Sequence, residues 1–316
     1  MTHKIVLDTD IGTDVDDLLT LCYLLASPGV ELLGVTPAYG DTRLRANLTH
    51  HVLELAGRAE VPVAPGGALL TPDRLIFWPG HEGKNAGVDS RPHPRSSALA
   101  AEDFLLEQVR RHPGEVTVVA IAPLTNLARA IEQDARTMRQ VKGVYCMGGV
   151  FGWRDPSFAL PRAEHNIVSD PQAARVVFDS GLPITLFPLD VTVQVPYTRE
   201  DAEALAGSGH PLVQLAYQEL QTWIDFLWQR DGMNHTPMHD PLTAAALLEP
   251  SLIVRSQLVR VRVETRGEHT LGFTVPDPRD ARPNVTLVQE VDAAAFHRLF
   301  TARLATLERL GGERPL

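Results

Sequence analysis

Five aspartates crowd ten positions near the start of the chain: Asp8, Asp10, Asp14, Asp16 and Asp17, in the run LDTDIGTDVDDLL. Carboxylates this close repel one another strongly unless a cation neutralises them. An all-oxygen set without cysteine suits a hard divalent ion, Ca²⁺ or Mg²⁺. The run starts where an apolar strand, Ile5–Leu7, ends. Asp8 and Asp10 therefore point the same way along extended backbone, and Asp16 and Asp17 open the next helix. A plainer reading makes Asp16 a helix cap and the others solvated loop acids. Capping needs one acid, not five. A second acidic motif, His239–Asp240–Pro241, lies far along the chain.

Two rival motifs can be tested against the run. An EF-hand loop wants acids at positions 1, 3 and 5, Gly at 6 and Glu at 12. Counted from Asp8 those last three places hold Gly12, Thr13 and Leu19, so the motif fails. Haloacid-dehalogenase-like phosphatases carry Asp-x-Asp-x-Thr/Val after a first strand. Asp8 and Asp10 fit, but Gly12 occupies the final place. No Gly-x-x-x-x-Gly-Lys or Gly-x-Gly-x-x-Gly loop is present to cradle phosphates.

Strand-length apolar runs alternate with helical patterns and would carry these residues. Ile5–Leu7, Val30–Val35, Val116–Ile121, Val141–Met147 and Ile184–Leu189 read as strands. Helices are expected from Asp16, over Arg43–Ala56, from Thr125 and over Pro171–Phe178. This order predicts an α/β fold: an open, mostly parallel sheet with helices on both faces, a Rossmann-like core. Right-handed crossovers place the strand C-termini on one edge, where ligands bind. Later come helices over Pro211–Arg230 and Pro241–Leu248, strands Leu258–Glu264 and Val285–Val291, and a terminal helix from Asp292. No Gly/Ser-rich linker interrupts residues 1–316, which reads as a single domain. The long polar stretch Phe77–Pro92 reads as a loop that is either functional or disordered.

Composition narrows the partners. Charged residues make up 22%, hydrophobic residues 44%, and the formal net charge is −10. An acidic chain repels nucleic acid. No apolar run reaches the roughly 18 residues of a membrane span, and no signal peptide is evident. Cys22 and Cys146 are too few for a zinc site and make a structural disulfide unexpected. A cytoplasmic location is expected.

Taken together, the blocks DTDIGTDVDD, VVAIAPLTNLA (118–128), YCMGGVFG (145–152), AEHNIVSDPQAA (163–174), MHDPLTAAALL (238–248) and the tail GFTVPDPRDARPNVTLVQEVD resemble the inosine-uridine nucleoside hydrolase family. The likeness spans nearly the whole chain. The family opens with Asp-x-Asp-x-Gly-x-Asp-Asp, and this chain looks like a variant with two extra residues, so that Asp16 and Asp17 match the closing pair. The resemblance implies a Ca²⁺-dependent hydrolase of ribonucleosides, purine or pyrimidine, serving nucleoside salvage as a homodimer or homotetramer. Its calcium ligands here would be Asp10, Asp17, the backbone carbonyl of Thr125, and Asp240. Asp10 would activate the calcium-bound water, and His239, protonated near neutral pH, would be the leaving-group acid. Asp8 would be a buried supporting acid. Asp16 and Asn166 would hold the ribose diol, and Glu164 the 5′-hydroxyl end.

Other substrate-binding candidates are Asp41, His81, Met147 and Trp228. The last three have plainer readings: His81 as a surface histidine, Met147 as a packed strand end, and Trp228, with Trp223 and Phe226, as core. The chain departs from the family at Gly40–Asp41, where Gly-Asn is usual, and at Phe158, where an Asn that reaches the 5′-hydroxyl is expected. Asp155 or Ser157 would supply that contact if the alignment slips. Two other functions remain compatible with the residues: a Mg²⁺-dependent phosphohydrolase built on Asp8 and Asp10, and a catalytically silent riboside-binding protein.

Overall fold

The computed structural model describes residues 2–152, 162–277, 280 and 282–310. Strands β1 (His3–Thr9), β2 (Val30–Pro37), β3 (Val116–Ala120), β4 (Gly143–Met147), β5 (Ile184–Phe187), β8 (Ile253–Val263), β9 (Thr274–Asp277) and β10 (Val285–Val291) form one sheet. Their order is β2-β1-β3-β4-β5-β10-β8-β9. Pairing is parallel from β2 through β10, and only the β10–β8 and β8–β9 pairs are antiparallel. The expected mostly parallel α/β sheet is therefore present. A small antiparallel ribbon, β6 (Pro196–Thr198) with β7 (His235–Pro237), lies apart.

Side-chain alternation divides the core into two layers. Ile5 and Leu7 of β1 join one layer, with α1 (Asp16–Ala26), α2 (Thr42–Leu55), α9 (Pro211–Asp231), α10 (His239–Leu248) and α11 (Ala293–Leu304). Val6 joins the other, with α3 (Ala101–Arg111), α4 (Thr125–Met138) and α6 (Pro171–Asp179). The middle of β1, Ile5–Leu7, is fully buried on both faces, which is why that stretch is continuously apolar. Gly34 of β2 marks a close approach: a Cβ there would stand 2.3 Å from Phe104 Cζ of α3.

The chain leaves β1 for β2 on one side and later returns to β3 on the other. The crevice at that reversal is where open α/β sheets bind ligands. Three helices begin there. α1 starts at Asp16 and α4 at Thr125, while α10, packed on α1, starts at His239. Pro241 is tolerated because it falls in the first turn, where N–H groups have no helical partner.

Several elements differ from the sequence expectation. The strand expected over Ile184–Leu189 stops at Phe187, and α7 (Leu189–Thr192) follows Pro188. β8 begins at Ile253, five residues early, because Val254–Leu258 is exposed and carries no buried-strand pattern. α3, α8 (Arg199–Ala206), the β6–β7 ribbon and β9 were not singled out by the strand–helix alternation. Among the described residues, no helix is long and apolar enough to cross a membrane.

On α9 one acid is buried without full pairing. Glu219 is 7% exposed and its Oε1 has no hydrogen-bond partner. Burial, with the nearby Glu82 carboxylate adding to it, pushes Glu219 up to about 7. The folded state thus binds this proton more tightly than the unfolded chain. Glu219 favours folding most below its ordinary range near 4.5. That contribution is lost as pH rises to about 7 and is constant beyond. Glu219→Gln should remove about 3 kcal/mol of pH-dependent stability between pH 4.5 and 7. Urea unfolding of both proteins at stepped pH measures it; parallel curves would contradict the assignment.

Candidate active site

The acid run turns sharply after β1. Gly12 makes the turn with φ +115°, and a Cβ there would come within 3.0 Å of Leu48 Cδ2. Asp17 Oδ1 accepts hydrogen bonds from the Thr9 hydroxyl and from Asp10 N at 3.1 Å. Asp16 Oδ2 accepts from Asp240 N at 3.1 Å, joining the first turns of α1 and α10. Ligand oxygens of Asp16, Asp17 and Asp240 all lie within 4.8 Å of one another, and all three residues are buried. This aspartate group has the donor chemistry of a hard-cation site. Burial, and then repulsion from neighbouring carboxylates (Asp14 foremost for Asp16, Asp16 foremost for Asp240), pushes Asp16 and Asp240 well up from the usual carboxylate range. Asp17 behaves likewise, with Asp10 as its foremost repelling neighbour. Asp10 is raised by burial, against the lowering pull of Arg45 and His165.

These acids form one wall of a cavity of about 370 Å³. Of the expected site residues, Asp10, Asp16, Asp17, Met147, Glu164, Asn166, His239 and Asp240 line it. Asn166 Nδ2 donates to the strand-end carbonyls of Ile121 (3.1 Å) and Met147 (3.3 Å). Glu164 caps α5 (His165–Ser169): Oε1 accepts from Asn166 N, and Oε2 from Ile167 N and Gly149 N. Gly148 is needed beside it, since a Cβ would meet Ile167 Cδ1 at 3.1 Å and Glu164 Oε2 at 3.3 Å. Asp8 lies outside the cavity lining, fully buried. Its Oδ1 accepts from Thr36 Oγ1 (2.6 Å) and Asn126 Nδ2 (2.7 Å), and burial pushes it up to about 7.

Four expected residues do not line the cavity. Asp41 caps α2, accepting from Arg43 N, Leu44 N and the Ser90 hydroxyl. His81 Nε2 donates instead to the backbone carbonyl of Thr13 at 2.8 Å. Trp228 is 58% exposed on the outer side of α9. Thr125 sits in the first turn of α4 with its hydroxyl on Asp170 Oδ2 at 2.7 Å. The charge expected of His239 also changes. Burial, then Arg162, pushes it down to about 4, so its ring is neutral at neutral pH. Thr192 Oγ1 lies 2.6 Å from His239 Nδ1; when the hydroxyl donates there, Nε2 carries the proton. Phe158, Asp155 and Ser157 lie outside the described residues.

Other residues complete the lining. Trp223 stacks on Phe226, with ring centroids 5.2 Å apart, and forms the aromatic wall that Trp228 does not. Phe77 and Arg230 stand with it. Asp14 and Thr13 come from the longer acid loop. His165, between Glu164 and Asn166, brings Nε2 to 4.0 Å from Asp10 Oδ2. That histidine was legible only as the middle residue of Glu164–His165–Asn166.

A buried aspartate cluster that could hold a hard cation, beside a half-apolar cavity at the C-terminal edge of a parallel sheet, is an arrangement that suits an α/β enzyme acting on a small polar substrate. Residues 5–298 match the model of the inosine-uridine preferring nucleoside hydrolases, and the chain belongs to that family. It is accordingly a nucleoside hydrolase, acting on the N-glycosidic bond of a ribonucleoside. The chain is 34% identical to the probable uridine nucleosidase 2 of Arabidopsis thaliana, over 95% of this chain and 97% of the relative. It is 33% identical to the pyrimidine-specific ribonucleoside hydrolase RihA of Shewanella woodyi, over 98% and 100%. Among solved structures, the purine-preferring ribonucleoside hydrolase from Gardnerella vaginalis superposes with a TM-score of 0.87 at 26% identity, covering 98% of this chain and 100% of that one.

Asp41→Ala tests the corrected role of that residue. Loss of a helix cap should lower stability by about 1 kcal/mol, leaving KM for a ribonucleoside unchanged. Denaturant melts paired with steady-state kinetics read both effects; a raised KM at unchanged stability would return Asp41 to the substrate.

Proposed function

We propose that the hydrolysis takes place in this cavity, with Ca²⁺ held by Asp17 and Asp240 and with Asp10 as the proton acceptor for the attacking water. The observation that carries this reading is the convergence of Asp16, Asp17 and Asp240, drawn from two distant segments. Asp10, whose carboxylate lies outside the group of three mutually close carboxylates, and the Thr125 carbonyl are proposed as its further ligands, as the family resemblance implies. A hard cation bound there would gather a sugar diol and make water more acidic.

The side chains have complementary tasks. Asp10 takes the proton as water attacks C1′. The surrounding carboxylates favour the positive charge that develops on the ribosyl ring. Neutral His239 offers its Nε2–H as a hydrogen bond to the departing base, offsetting the negative charge that develops there, and the base takes its proton from solvent. Asp16 and Asn166 hold the diol, and Glu164 faces the 5′-end. Trp223 and Phe77 offer the base an apolar wall. The protein is proposed to work in the cytoplasm, in keeping with its unpaired buried thiols, as a homodimer or homotetramer.

Release of free ribose from uridine and inosine tests the reaction. Asp10→Asn should lower kcat by at least ~10²; near wild-type turnover would remove Asp10 from its role. Phosphate release from a ribose phosphate would instead mark a phosphohydrolase. Riboside binding without turnover would mark a silent binding protein.

Calorimetry should show Ca²⁺ binding more tightly than Mg²⁺, and Asp240→Asn should abolish it. Stronger Mg²⁺ binding would reverse the metal assignment. The 2′-deoxy analogue of a substrate should lose activity. Because Phe158 replaces an expected Asn, the 5′-deoxy analogue should match or exceed its parent. A large penalty for removing the 5′-hydroxyl would restore an ordinary 5′-pocket.

A further inference from the structure

We propose that Arg45 is a positioning residue for Asp10: its buried guanidinium fixes the lengthened acid loop and so aims the Asp10 carboxylate into the cavity. This rests on the reading of Asp10 as proton acceptor and neighbour of the cation.

Arg45 lies on α2 and is 0% exposed. Its hydrogen bonds go to neutral oxygens. Nε donates to Tyr39 O at 2.7 Å, one terminal nitrogen to Ile11 O at 2.8 Å and to Asp10 O, and the other to Thr13 Oγ1 at 3.1 Å. Among the described residues no carboxylate is within ion-pair distance of it. A buried cation is costly unless fully hydrogen-bonded or balanced by nearby charge. Here the bonds hold the loop, and the balance comes from the acid cluster behind it. The Arg45 charge pulls against the rise of Asp10 and Asp17.

The backbone of Asp10 is thereby held at both ends. Its N–H is bonded to Asp17 Oδ1 and its carbonyl to Arg45. Arg45 also spans the two extra residues of this chain's acid motif by reaching Thr13. A second support meets it there. Thr13 Oγ1 donates to Glu82 Oε1 at 3.2 Å, Gly80 N donates to Glu82 Oε2 at 2.7 Å, and His81 holds the Thr13 carbonyl.

The surroundings are built for a guanidinium. Tyr39 adopts φ +63°, unusual for a bulky side chain, and its carbonyl meets Nε. The rings of Tyr39 and Trp78 cover the cation at 5.9 and 5.0 Å. Lysine supplies the charge without the planar fork.

Two roles predict opposite signs. If Arg45 merely offset negative charge, Arg45→Met would tighten Ca²⁺ binding and Arg45→Lys would preserve it. If Arg45 positions the loop, both substitutions weaken it. The experiment titrates wild type, Arg45→Met, Arg45→Lys and Thr13→Val with Ca²⁺ by calorimetry, then measures kcat and KM for uridine. The expected result is Ca²⁺ affinity weaker by roughly 10-fold to 100-fold in both Arg45 variants. kcat should fall by a similar factor, with KM within about threefold of wild type, because the loop acts through Asp10. Thr13→Val, which keeps Arg45 and the fold, should shift both quantities in the same direction by a smaller factor. It decides the matter if the Arg45 variants do not fold. Tighter or unchanged Ca²⁺ binding in folded variants overturns the proposal, as does a rise in KM at constant kcat. A wild type that binds Ca²⁺ but releases no ribose overturns the hydrolytic mechanism instead, and the Ca²⁺ arm still judges Arg45.

Discussion

Mutual repulsion among buried carboxylates is the constraint to which the rest of this structure answers. Asp10, Asp16, Asp17 and Asp240 stand together, each at most 8% exposed. In a low-dielectric interior such a group cannot remain charged without compensation. Each neighbouring element supplies some. The first turns of α1 and α10 point positive ends of their peptide dipoles at the cluster. Thr9 and the backbone N–H groups of Asp10 and Asp240 donate hydrogen bonds. Arg45 adds a permanent positive charge. The remainder is what a cation would supply, and the donor chemistry of the group suits one.

The same constraint explains why the supports are rigid. Asn166 ties the ends of β3 and β4, Glu164 holds Gly149, and Asp170 joins Leu70 and Thr71 to Thr125. These bonds set side chains on strand ends rather than on free loops. Precision at the reacting centre depends on such supports, because a misplaced proton acceptor loses much of its effect.

The sequence was informative where residue type alone carries the chemistry. The acid run, the His239–Asp240 pair and the Glu164-x-Asn166 pair could be read because their meaning lies in composition and spacing. The parallel core could be read because its strands are continuously apolar. Facing directions were less legible. Trp223 and Trp228 share one helix, and only the apolar stripe Val213–Ala216–Leu220–Trp223–Leu227, which passes through Trp223 and misses Trp228, tells which turns inward. Arg45 looks like a surface charge on an amphipathic helix, and only the fold reveals that it is enclosed. Asp41 could have been recognised as a helix cap from Gly-Asp-Thr-Arg, since Asp is favoured at that position. The exposed half of β8 shows no strand pattern, because water rather than side chains covers it.

The contact between Asp16 and Asp240 spans 224 positions of sequence, and β10 enters the sheet between β5 and β8 even later. During synthesis the aspartates of the first turn therefore emerge long before their partner. A nascent chain passes most of its translation with that acid cluster open and incomplete. Only when α10 docks on α1 does a closed cluster exist, and only β10 then joins the parallel strands to the outer pair. Non-local closure of this kind slows folding. It also means that a fragment terminated before residue 240 lacks Asp240 and has no complete aspartate cluster.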